Sequence, residues 1–98
     1  MLTIKRTDEF NTWLFSLKDG VTHRRLVARL RKASLGNLGD VKPVGCGVFE
    51  MREHFGAGWR MYYIQRGTAL VLMLGGGDKS TQDTDIAKAV KLAALIED

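Results

Sequence analysis

The side chains of this sequence that could do chemistry are mostly cations, and strand alternation gathers several of them. In residues 48–55, Glu50, Arg52 and His54 alternate with Phe49, Met51, Glu53 and Phe55. In residues 59–65, Arg60, Tyr62 and Ile64 alternate with Trp59, Met61 and Tyr63. Successive side chains of a strand point to opposite faces. If the apolar sets face helices, then Arg52, His54, Arg60 and Tyr62 line the open face of a sheet. Guanidiniums grip phosphates, an aromatic ring stacks on a base, and an imidazole moves protons near neutral pH. A solvated sheet face carries Arg, Glu and His for solubility alone, so parity leaves both readings open. Lys79 follows three glycines and precedes a helix start, where backbone N–H groups attract anions. Residues 78–81 suit a plain helix cap equally well. A third basic set, Arg25, Arg29 and Lys32, shares one side of a helix. It fits RNA backbone, an acidic partner segment, or simply solvent.

Other chemistries find no match. The segment Gly75-Gly-Gly-Asp-Lys-Ser-Thr has a phosphate-loop flavour but the wrong spacing. That loop needs four residues between its glycines and a lysine directly after the second. Here Asp78 intervenes, and a carboxylate repels phosphate. No spacing of His, Asp or Glu suggests a metal site, and no cofactor is expected. The single cysteine, Cys46, rules out an internal disulfide and a Cys-based zinc site. His23 is expected on the surface of a helix.

The elements that must position these residues are legible in outline. Residues 2–5 suit a short strand. Thr7 or Asp8 can cap a helix whose stripe is Phe10, Trp13, Leu14 and Leu17, with Asp19-Gly20 ending it. A second helix over 22–35 buries Leu26, Val27, Leu30 and Ala33, and Gly36-Asn37 stops it. The two form a helical hairpin. Residues 41–44 read as an edge strand, because Pro43 cannot donate to a ladder. Strands over 48–55, 59–65 and 69–74 follow as an antiparallel meander, the last apolar enough to be covered on both faces. The glycines at 75–77 end the sheet. Ser80 or Thr81 caps a final helix that buries Ile86, Ala89, Val90 and Ala93. The reading is an α+β domain, a twisted antiparallel sheet with helices packed on it.

The chain has 98 residues with 45% hydrophobic and 27% charged, enough for one globular domain over 1–98. Fifteen Lys and Arg against eleven Asp and Glu give a net +4, which favours an anionic partner. The charge is uneven: Lys5, Arg6, Lys18, Arg24, Arg25, Arg29, Arg31 and Lys32 lie early, whereas Asp78, Asp83, Asp85, Glu97 and Asp98 lie late. No apolar run approaches the ~20 residues of a membrane span. The N-terminus lacks a signal-peptide core, so a cytoplasmic location is expected.

Three runs together resemble a known family. They are Gly-Asp-Val-Lys-Pro-Val-Gly at 39–45, Phe-Glu-Met-Arg-Glu-His-Phe-Gly-Ala-Gly-Trp-Arg-Met-Tyr-Tyr at 49–63, and Leu-Met-Leu-Gly-Gly-Gly-Asp-Lys-Ser-Thr-Gln-Asp-Thr-Asp-Ile at 72–86. With the opening Thr-Asp-Glu-Phe and Trp-Leu, they resemble the addiction-module killer proteins, the HigB-like branch of the RelE/ParE toxin superfamily. The likeness covers nearly the whole chain.

The resemblance implies the RelE/ParE-like fold and the toxin half of a bacterial toxin–antitoxin pair. RelE-like and HigB-like members cut mRNA on the ribosome without a metal, the RNA's own 2′-hydroxyl attacking the adjacent phosphate. ParE-like members share the fold and poison DNA gyrase, and a decayed module would only bind its antitoxin. Arg60, in Gly-Trp-Arg, matches the arginine that contacts the scissile phosphate in RNA-cleaving members. Arg52 matches a Leu-Arg position, with Met51 in place of Leu, and is expected to bind phosphate. Lys79 falls where relatives hold a basic residue after the last strand. His54 completes the catalytic set, in a position where many relatives carry another polar residue. The final helix holds no Tyr or His to act as acid or base. Tyr62 is expected either to stack on a base or only to brace the sheet, and Arg25, Arg29 and Lys32 to contact RNA. The expected partners are mRNA on the ribosome and a small helix-turn-helix antitoxin, for which the basic helix is a candidate dock.

Overall fold

The computed structural model describes residues 1–96, so Glu97 and Asp98 of the acidic end lie outside the described residues. Strand β1 (Thr3–Arg6) leads directly into helix α1 (Asp8–Ser16). The Thr7 hydroxyl oxygen accepts from the Phe10 N–H at 3.1 Å and donates to the Met73 carbonyl at 2.9 Å. One side chain thus caps the helix and ties it to a strand far along the chain. Helix α2 (Gly20–Ser34) follows after three residues. The Asp19 carboxylate accepts from the Val21 N–H at 3.1 Å and the Thr22 hydroxyl at 2.9 Å. Asp19-Gly20 therefore begins the second helix rather than ending the first: an acidic side chain satisfies orphan N–H groups at a helix start better than it stops one.

The expected three-strand meander is β3 (Val48–Glu53), β4 (Trp59–Arg66) and β5 (Leu70–Gly77), and the expected edge strand β2 (Val41–Gly45) extends it by pairing antiparallel with β3. The sheet order is β1-β5-β4-β3-β2, with Pro43 on the edge strand. The sheet is mixed, not wholly antiparallel, because β1 pairs with β5 in parallel. Two helices separate β1 from β2 and carry the chain across the sheet, which leaves β1 at the opposite edge.

The glycines do not end the sheet either. They are the last residues of β5, with Gly75, Gly76 and Gly77 opposite Tyr62, Met61 and Arg60. A methyl group on Gly76 would enter the Trp13 ring, and one on Gly77 would enter the Asp85 carboxylate. Glycine is required there because α1 and the last helix approach the strand's backbone from opposite sides. The chain then makes a short 3-10 turn (Lys79–Thr81) and helix α3 (Gln82–Leu95). Asp78 caps the 3-10 turn, its carboxylate accepting from the Ser80 N–H at 2.8 Å. Thr81 stands at the N-cap position of α3, one of the two expected residues, but its hydroxyl donates to Oδ2 of Asp85 at 2.6 Å instead of accepting from a helix N–H.

Helices cover both faces of the sheet. Phe10, Leu14, Leu26, Leu30 and Ala33 of α1 and α2 pack on Met51, Met61, Tyr63, Val71 and Met73. Val48, Tyr62, Ile64 and Leu74 form a second core beneath Ala89 of α3. The face expected to be open is therefore mostly roofed by α3. Its far end, carrying Arg52, His54 and Arg60, reaches an accessible cleft.

Candidate functional site

Register alone sets the first two cations side by side. Arg52 of β3 lies directly opposite Arg60 of β4, and Arg60 lies opposite Gly77, two residues before Lys79. Like charges facing each other across a ladder repel, a cost that an anion between them relieves. The loop joining β3 to β4 closes the arrangement. Gly58, at φ +77°, brings its backbone against Lys79 and Arg60, and the Lys79 N–H donates to the Ala57 carbonyl at 3.3 Å.

Arg60 is oriented from behind. Its Nη1 donates to the Gly58 carbonyl at 2.8 Å, and its Nε lies 3.5 Å from Oε2 of Glu50. Glu50 is fully buried, and the same oxygen accepts from Nε2 of Gln82 at 2.8 Å. A carboxylate without water must be compensated by nearby donors and charge. Here those come from α3 and from Arg60. Sequence parity placed Glu50 on this face but gave it no task.

Arg52 and His54 converge on a residue whose role sequence reasoning missed. Nη2 of Arg52 donates to Oδ1 of Asp40 at 3.0 Å, and Nε2 of His54 lies 2.6 Å from Oδ2. The Arg52 hydrogen bond, and next that of His54, hold the Asp40 carboxyl below the ordinary carboxylate range. The same contact with Asp40 raises the Arg52 guanidinium. Only the motif at 39–45 marked Asp40, as part of a resemblance and without a function.

All four residues expected to be catalytic meet. Arg52, His54, Arg60 and Lys79 line one cleft of about 260 Å³ with the backbone of residues 56–58. A second cleft, of about 530 Å³, shares Arg52, Glu53 and His54 with it and is bounded by Arg25, Lys32 and Phe55. The Arg25 guanidinium lies 4.3 Å above the centre of the Phe55 ring, a cation–π contact. Phe55 was expected on the core face; it lies beyond the end of β3, half-buried beside His54.

Two expected RNA-binding residues have other work. Tyr62 is fully buried under α3, so it offers no surface for stacking. Its hydroxyl has no well-formed hydrogen bond, and burial, then the nearby Glu50 charge, push its ionisation far up. Arg29 lines the second cleft, but its guanidinium is occupied. It donates to the carbonyls of Leu38, Asp40 and Arg52 and forms a 2.6 Å ion pair with Glu53. It pins the segment before β2 to the end of β3. Arg25 and Lys32 are exposed. His23 is half-buried, its Nδ1 3.2 Å from the Leu14 carbonyl, rather than on the surface.

Among the described residues, no three His, Cys, Asp or Glu side chains converge as a metal site would require. No helix among them is long and apolar enough to cross a membrane. No protein-family model matches the chain. An uncharacterized protein of Haemophilus influenzae (strain ATCC 51907 / DSM 11121 / KW20 / Rd) is 44% identical over 92 residues, which span 94% of this chain and 93% of that protein. Likeness at that level over nearly the full length of both places this chain in one family with the Haemophilus influenzae protein.

Proposed function

We propose that the protein is an RNA-cleaving toxin of the HigB-like branch of the RelE/ParE superfamily, with a RelE/ParE-like fold. It works in the cytoplasm on mRNA at the ribosome and is neutralised by a helix-turn-helix antitoxin. The observation that carries this reading is the convergence of Arg52, His54, Arg60 and Lys79 on one cleft. Three cations and an imidazole around an accessible space suit a phosphodiester better than a neutral ligand.

The reaction needs no nucleophile from the protein. The 2′-oxygen forms a bond to the neighbouring phosphorus, and the bond from phosphorus to the 5′-oxygen breaks with its electron pair going to that oxygen. The products are a 2′,3′-cyclic phosphate and a 5′-hydroxyl. His54 takes the proton of the 2′-hydroxyl, and the Lys79 ammonium gives one to the departing 5′-oxygen. Arg60 and Arg52 stabilise the extra charge on the pentacoordinate phosphorus. Glu50 and Gly58 hold Arg60 in place before substrate arrives, so little reorganisation is needed.

The test is induced expression followed by mapping of mRNA ends. The wild type is expected to stop growth and to leave new 5′-hydroxyl ends. Arg60→Ala, with an unchanged circular dichroism spectrum, is expected to lose both effects, at least about a hundred-fold in cleavage rate. Intact mRNA with altered plasmid supercoiling would instead assign the protein to gyrase, and the absence of any growth effect would leave it an antitoxin-binding module.

A further inference from the structure

Asp40 is fixed in the structure more firmly than the residue it touches. Its carbonyl accepts from Nη2 of Arg29 at 2.9 Å and from the Arg52 N–H at 3.0 Å, and its carboxylate accepts from Nη2 of Arg52 at 3.0 Å. His54 has a side chain 70% exposed, and among the described residues its ring makes one hydrogen bond, the 2.6 Å contact to Asp40. An exposed ring would otherwise rotate freely. Such an exposed pair adds little to stability, so its use must be sought elsewhere.

We propose that Asp40 is the positioning residue that makes His54 a proton acceptor, by holding Nε2–H and leaving Nδ1 open to the 2′-hydroxyl of a ribonucleotide. This rests on the reading of the cleft as an RNA-cleaving site. The Asp40 carboxyl, kept ionised by Arg52 and His54, can only accept, so the shared hydrogen sits on Nε2. That fixes the tautomer of the neutral ring, which is how an orienting carboxylate serves a histidine base. The charged groups around the ring divide by element. Arg52 and Glu53 come from β3, Arg60 from β4 and Lys79 from the 3-10 turn; Arg25, Arg29 and Lys32 come from α2 across the second cleft. Among the groups bordering the two clefts, Asp40 and Glu53 are the carboxylates, and Arg29 occupies Glu53. Asp40 is the one that reaches the imidazole.

Asp40→Asn tests this without disturbing much else. Asparagine keeps an acceptor for Arg52 and presents an N–H₂ group to His54, which favours the opposite tautomer. In nitrogen NMR spectra of the free protein, wild-type His54 is expected to carry hydrogen on Nε2, and the variant to lose that preference while its backbone spectrum is preserved. RNA cleavage by Asp40→Asn is expected to fall at least about a hundred-fold. His54→Gln is expected to fall as far, and the double variant no further, because the two residues act as one unit. Asp40→Glu, which keeps the charge, is expected to recover part of the rate. A wild-type ring with hydrogen on Nδ1 overturns the assignment, as do additive losses in the double variant. A wild type that cleaves RNA alongside a fully active Asp40→Asn overturns it and leaves the RNA-cleaving reading standing. A wild type that leaves RNA intact overturns both.

Discussion

Arg29 and Arg25 sit one helical turn apart on the same basic stripe, yet only one is available to a partner. Arg29 is nearly buried, at 10% side-chain exposure, and bridges two carbonyls of the 38–40 segment to Arg52 and Glu53. Removing it leaves those acceptors and the Glu53 carboxylate without their donor. Arg29→Ala is therefore expected to lower stability by about 2–4 kcal/mol in urea unfolding, whereas Arg25→Ala and Lys32→Ala leave the unfolding midpoint nearly unchanged. A small effect at Arg29 would mean its bonds are easily replaced by water. Nothing in the spacing of the three cations separated them, since periodicity reports which side of a helix a residue occupies and not what stands opposite. Asp40 was hidden for the same reason: its partners lie 12 and 14 residues away and meet it only through strand pairing. Arg52, His54 and Arg60 were legible because alternation within two strands is a local property.

The element that most repays attention is β5. Hydrophobic patterning stopped it at Leu74, because glycine has poor strand propensity and no side chain to alternate. The strand continues through Gly77 because its backbone stays paired with β4 as far as Arg60, and Trp13 and the start of α3 press on Gly76 and Gly77 closely enough to leave no room for a side chain. Gly76→Ala and Gly77→Ala are each expected to cost about 1–3 kcal/mol by forcing those contacts apart. Gly75 meets nothing that an added methyl would touch, so Gly75→Ala serves as the neutral control. Thermal unfolding checks the contrast, with the first two variants melting at least about 4 °C lower. The arrangement also bears on the site, since Gly77 is the residue opposite Arg60 and leads to Lys79. The order of strands and helices was readable from sequence, but the parallel pairing of β1 was not. Which edge a first strand joins depends on where the intervening helices carry the chain.

As a whole, the molecule is one sheet with helices on both faces, and its Cα radius of gyration of 12.3 Å matches a packed chain of this length, about 13 Å. Two tyrosines at its centre link that packing to pH. Burial raises the ionisation of both Tyr62 and Tyr63, and the Glu50 charge adds to the effect at Tyr62. An unfolded tyrosine ionises near pH 10. The folded state keeps the proton longer, so this stability is fully present below about pH 10 and is lost as pH rises beyond it. Tyr62→Phe is expected to weaken the alkaline loss in denaturant titrations at pH 9 to 11, while stability at pH 7 stays level or rises slightly, because the hydroxyl removed has no well-formed hydrogen bond. An unchanged alkaline limb would show that Tyr62 is reached by water in the folded state. The parallel pairing of β1 with β5 has a consequence for timing. Thr3 to Arg6 have their ladder partners at Leu70 to Met73, and α1 packs chiefly on that same strand. While the chain is still being made, its first strand has nothing to pair with and its cleft lacks Lys79. A chain built this way can complete neither its five-stranded sheet nor its cleft until synthesis has passed β5 and Lys79, so both arise together and late.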